Sequence, residues 1–197
     1  MEKKTSVLQI NLTKELNFSY NFFNKHSFKI EVIDSKNLSA KKNGNNFYFL
    51  KYIDFYFVKY VDSVSTDSIE DFHIQSIFTA NKSFKMPKFL RLSIPNINSV
   101  IITNSSLSEE VVNYVSRKRI NTLGGQQETV FIISISDQKI FCPGKEITKP
   151  KGEAKLFLGS QKEFKTLNGN NRAFYLMEKF SKKLFSKINS SILKTIK

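Results

Sequence analysis

An acidic residue, an apolar run and an acid-x-lysine triplet follow one another at Glu128, residues 129–136 and Asp137-Gln138-Lys139. Two carboxylates and an ammonium gathered at one strand end can hold a divalent cation and polarise a phosphodiester, the chemistry of a metal-dependent nuclease. The triplet has little specificity, because the chain holds 27 lysines and repeats the pattern at Asp34-Ser35-Lys36, Glu153-Ala154-Lys155 and Glu163-Phe164-Lys165. His26 and His73 stand far apart, and neither belongs to an H-x-x-x-H pattern of the kind zinc hydrolases use. A triad on either histidine would need a particular serine and acid, and nothing in the sequence marks them. Asp62, Asp67, Glu70 and Asp71 lack the spacing and the central glycine of a calcium loop.

Phosphate-binding fingerprints are missing as well. Neither G-x-G-x-x-G nor G-x-x-x-x-G-K-[ST] occurs, and Gly144-Lys145 is followed by Glu146. Asn104-Ser105-Ser106 precedes a helical pattern and could cradle a phosphate there, but helix capping accounts for the same residues. The sequence therefore implies no cofactor, no metal site and no catalytic residue, and no small-molecule substrate is expected.

The remaining chemistry is that of charge. The formal net charge is +14. It is unevenly spread: residues 1–60 carry ten lysines against five acids, residues 61–137 seven bases against eight acids, and residues 138–197 fourteen bases against four acids. Two groups in the last third are candidates for binding a polyanion or an acidic partner. One is a basic connection from Lys139 to Lys165, with Lys139, Lys145, Lys149, Lys151, Lys155, Lys162 and Lys165 interleaved with Phe141, Phe157 and Phe164 in the mixture of cations and stacking rings that suits single-stranded nucleic acid. The other is a terminal segment with Arg172, Lys179, Lys182, Lys183 and Lys187. The rival reading of both is that the phenylalanines are core and the lysines solvated, in a chain whose Lys, Asn, Ile and Phe richness looks like that of an AT-rich genome.

These groups need elements to position them. At 197 residues and 40% hydrophobic content the chain suits one α+β domain over 1–197, with possible subdomains at 1–95 and 96–197. The N-terminal half reads as β-rich, with strands at 7–12, 16–23, 28–33 and 47–61, the last with an amphipathic helix as competitor, and a turn at 41–46. Short strands are expected at 72–79 and 89–94, with Met86-Pro87 as a break between them. Residues 99–136 then read as a βαβ unit: a buried strand at 99–103, a helix at 107–120 and a second strand at 129–136. Ser106 with Glu109 forms a capping-box pattern, and Leu107, Val111 and Val115 share the face expected to meet the sheet. A short strand is expected at 156–158, and a turn at 168–171 leads into a basic amphipathic helix at about 172–193, with Ala173, Met177, Phe180, Leu184, Ile188 and Ile192 along its apolar face.

The first twenty residues lack an apolar h-region, and the most apolar stretch is short and interrupted by Lys51, Asp54 and Lys59, so no signal peptide or transmembrane segment is expected. A single cysteine, Cys142, suits an intracellular, reducing compartment such as a bacterial cytoplasm or organelle interior. Together these readings describe a non-enzymatic structural or interaction subunit of a larger assembly, docking through its basic C-terminal third, with structured RNA or another polyanion and other protein subunits as partners. The alternatives are a purely protein-binding subunit of a motor, secretion or virion-type complex, and the metal-dependent nuclease.

Overall fold

The computed structural model describes residues 12–46, 50–84, 93–117, 126–143, 145–147 and 168–195. Their order is α1 (Lys14–Lys25), β1 (Lys29–Val32), β2 (Asn37–Asn46), β3 (Leu50–Val61), α2 (Thr66–Lys82), β4 (Ser93–Thr103), α3 (Glu109–Arg117), β5 (Gln127–Ser134), β6 (Lys139–Cys142), β7 (Lys145–Ile147) and α4 (Asn168–Thr195). The fold class is α+β. The seven strands form one mixed sheet in chain order, antiparallel from β1 to β3, parallel from β3 to β5 and antiparallel again to β7. The parallel pairs require crossovers, and α2 and α3 supply them. The parallel β4 and β5 with α3 between them are the βαβ unit that the sequence signals.

Strand alternation divides the core in two. Tyr56, Val58, Val100, Ile102, Phe131, Ile133, Ile140 and Cys142 point to one face, where α1 and α4 pack with Leu16, Phe22, Phe23, Met177, Phe180 and Leu184. Phe55, Phe57, Ile97, Ile101, Val130, Ile132 and Phe141 point to the other, under Ile69, Phe72 and Ala80 of α2 and Val111 and Val115 of α3. Both faces are covered, so the central strands bury polar as well as apolar side chains, among them Asp54 of β3, Asn96, Asn98 and Ser99 of β4 and Thr129 of β5.

Four expectations are corrected. Residues 16–23 form helix rather than strand: Thr13 caps α1 by accepting from the Leu16 N–H, and Leu16, Ser19, Phe22 and Phe23 repeat at helical spacing on its buried side. Residues 72–79 likewise lie in α2, which opens on a capping box between Ser65 and Ser68 and buries Ile69, Phe72, His73, Ser76 and Ala80. The Phe/Tyr richness of 16–23 favours strand only as a preference for packing surfaces, which a helix face also provides. Residues 41–46 are the end of β2 and not a turn, held by pairing from Lys41↔Phe55 to Asn46↔Leu50. Residues 168–171 are the first turn of α4.

Smaller differences concern ends. The α3 cap is Ser108, which accepts from the Val111 N–H at 3.3 Å, while Ser106 turns instead to Asp137 at 2.8 Å. The strand expected at 47–61 is β3, with its competitor helix excluded by pairing on both sides. The strands expected at 7–12 and 156–158 and the break at Met86-Pro87 lie outside the described residues, apart from Leu12. The strand expected at 89–94 enters them at Ser93, where β4 begins. Among the described residues no helix is long and apolar enough to cross a membrane.

Candidate polyanion interface

Helix α4 packs beside α1 through an aromatic seam. Phe180 meets Phe18 and Phe22 edge-on at centroid distances of 5.2 and 5.0 Å. Two candidate lysines lie over that seam: Lys183 Nζ stands 5.8 Å from the Phe22 ring centroid and Lys187 Nζ 5.6 Å from that of Phe18. Both side chains are exposed. Their methylene stems cover ring surface while the ammonium groups stay in water, as long basic side chains do at an apolar edge.

Lys179, Lys183 and Lys187 follow at four-residue intervals and so stand one above another on the helix. Tyr175, 67% exposed, begins the same stripe, and Lys182 flanks it, paired with Glu178. Arg172 behaves differently. Its guanidinium stacks on the Tyr52 ring at 3.4 Å and lies 3.6 Å from Asp54 Oδ1, so it ties α4 to β3. Burial pushes the Asp54 carboxyl above its ordinary pKa, against the pull of Asn96 and Arg172. The structure thus separates Arg172, engaged with the sheet, from Lys179, Lys182, Lys183 and Lys187, which line the outer side of α4. Lys149, Lys151, Lys155, Lys162 and Lys165 fall outside the described residues.

The α1 contribution was not visible in the sequence. Helices α1 and α4 together carry eight basic residues against Glu15 and Glu178, whereas α2 and α3 on the opposite face carry five acids against Lys82 and Arg117. The sheet therefore lies between a basic helical layer and an acidic one. Exposed Tyr20 on α1 adds a second aromatic surface to the basic layer.

The carboxylates of the nuclease reading do not come together. Glu128 lies at the start of β5 beside Gln126, and Asp137 lies beyond its end, held by Ser106 and Ser134 at 2.8 Å each. The strand from Glu128 to Ser134, at which Asp137 is held, separates them by roughly 20 Å. Among the described residues no group of three or more His, Cys, Asp and Glu side chains is placed to hold a metal ion.

One constellation appears that sequence spacing could not reveal. Ser99 Oγ lies 2.8 Å from His73 Nδ1, and Glu128 Oε2 lies 3.8 Å from His73 Nε2. With the proton on Nε2 facing Glu128, Nδ1 accepts the Ser99 hydroxyl, the connectivity by which a base activates a nucleophile. Ser99 is 0% exposed in mid-strand, so no substrate carbonyl can reach it. These three residues act as a polar clasp joining α2 to β4 and β5. Family models, curated proteins and solved structures yield no match to the chain.

Proposed function

We propose that this chain is a non-enzymatic interaction subunit that docks on structured RNA through the basic layer formed by α1 and α4. The observation that carries the reading is the segregation of charge between the two helical layers. Apart from Arg172, which is engaged with Asp54, helices α1 and α4 carry seven bases against two acids, a field that attracts phosphate, while the acidic layer on the other side sets the orientation of approach. The stacking of Lys179, Lys183 and Lys187 supports it, because like charges at this spacing weaken a helix by roughly 0.2–0.5 kcal/mol per pair and a phosphate backbone would relieve that cost. Helix α4 has 28 residues and runs about 42 Å, long enough to follow several phosphates.

Binding of a structured RNA, followed by fluorescence anisotropy over a salt series, tests the proposal. If four lysines engage phosphates, affinity should fall about a hundredfold between roughly 50 and 200 mM salt. Lys183→Glu/Lys187→Glu should weaken binding at low salt about tenfold or more and flatten the salt slope, whereas Glu110→Gln on the acidic layer should leave both unchanged. Equal effects of the two substitutions would overturn the reading. A second observation favours a protein partner in addition: Ile74 and Phe78 stand exposed on the outer side of α2.

A further inference from the structure

Helix α2 presents to solvent a stripe that changes character along its length. Asp67, Glu70 and Asp71 occupy its first half, and Ile74 and Phe78, 55% and 61% exposed, its second. These positions recur at three- and four-residue intervals, so they form one ridge. Lys82 lies over one side of the Phe78 ring at 4.3 Å from its centroid and leaves most of the ring open. Ile74 and Phe78 side by side form an exposed apolar patch, and an apolar patch rimmed by charged residues is the composition of a protein–protein contact. The flanking acids specify that the cover is basic.

The molecule itself carries such a surface. On α4, Tyr175 is followed along the same stripe by Lys179, Lys183 and Lys187, an exposed ring succeeded by cations. We infer that the acidic-apolar ridge of α2 in one copy docks on the ring-and-lysine stripe of α4 in a second copy, with Ile74 and Phe78 against Tyr175 and the acids of α2 against the α4 lysines. Both partner surfaces are present on every chain but on opposite faces of the sheet, so the contact is head-to-tail and a third copy can add to the second. The inference rests on the charge layers and not on RNA binding, although it shares α4 with that reading. A polyanion on α4 therefore competes with the next copy.

Sedimentation velocity of the full chain, freed of nucleic acid, at low salt over a range of concentrations reads the association directly. The weight-average mass should rise with concentration and fall back to the monomer at high salt. Ile74→Ser/Phe78→Ser and Lys183→Glu/Lys187→Glu should each be monomeric, and circular dichroism of each should match the parent because all four positions are exposed. Mixed together, the two variants should form a 1:1 dimer that grows no further, because each retains the one surface the other lacks. A parent that stays monomeric throughout would overturn the inference. So would two variants that fail to complement, or an α2 variant that associates as the parent does. The Ile74→Ser/Phe78→Ser variant keeps the basic layer intact, so its RNA affinity reports on the docking proposal of the preceding section independently.

Discussion

Asp137 shows what one side chain does at the turn from β5 to β6. Its carboxylate accepts from Ser106 and Ser134 and from the Leu107 backbone, joining the approach to α3 to the end of β5. Burial alone would raise its pKa, but these hydrogen bonds and nearby Lys139 outweigh burial and hold the group below its ordinary value of 3.8. A depressed folded pKa stabilises the protein above the unfolded value, and that contribution disappears as pH falls through the folded one. Asp137→Asn should therefore cost about 1–2 kcal/mol near neutral pH, as expected for loss of charge-assisted hydrogen bonds. In urea melts the gap between parent and variant should narrow as pH drops below about 4, and a gap of constant size down to about pH 2 would contradict the assignment. At the same scale Cys142 is chemically quiet: burial pushes its thiol up to about 12, which keeps it protonated.

At the scale of elements, the joint between α4 and the sheet depends on a residue without a side chain. Gly44 pairs with Tyr52 across β2 and β3, and the Tyr52 ring lies where a Gly44 Cβ would be. The same ring carries the stacked guanidinium of Arg172. Gly44→Ala should displace the ring and loosen that stack, costing about 1–3 kcal/mol as overpacking does. In a Tyr52→Ala background the cost should largely vanish, since the two positions are coupled through one ring; additive losses in denaturant melts would refute this account. The sequence shows such elements unevenly. The unit at 99–136 is legible because β-branched runs, acids at the start of α3 and the Val111/Val115 spacing agree on one answer. Helices α1 and α2 are not: α1 buries Phe22 and Phe23, aromatics that suit either element, and α2 buries a mixed face of Ile69, Phe72, His73, Ser76 and Ala80, so both depend on the caps at Thr13 and Ser65. With residues 16–23 taken as strand, the two lysines that α1 adds to the basic layer, Lys14 and Lys25, are also out of view. The α4 lysines were legible from period and charge, whereas the diversion of Arg172 to Asp54 and the meeting of Ser99, His73 and Glu128 depend on strand register, which no local pattern encodes.

At the scale of the whole molecule, the charge on which the docking proposal relies works against the fold. Helices α1 and α4 carry eight bases against two acids, and along α4 Lys183 stands between Lys179 and Lys187 on the same stripe. Lys183→Glu converts two repulsive i, i+4 pairs into attractive ones, a gain of about 1 kcal/mol after allowing for the lost contact with Phe22. For a chain of this length that is a rise in Tm of about 2–4 °C at low salt. The gain should fade toward zero at about 1 M salt, where the Debye length shrinks to about 3 Å and exposed charges no longer sense one another. The same substitution should weaken RNA binding, so stability and affinity move in opposite directions for a single physical reason. A lysine that merely decorates a solvated face would show the first effect without the second. If Lys183→Glu instead lowers Tm at low salt, packing of the lysine stem on Phe22 outweighs repulsion along α4, and the layer is held together by its aromatic seam more than it is strained by its charge.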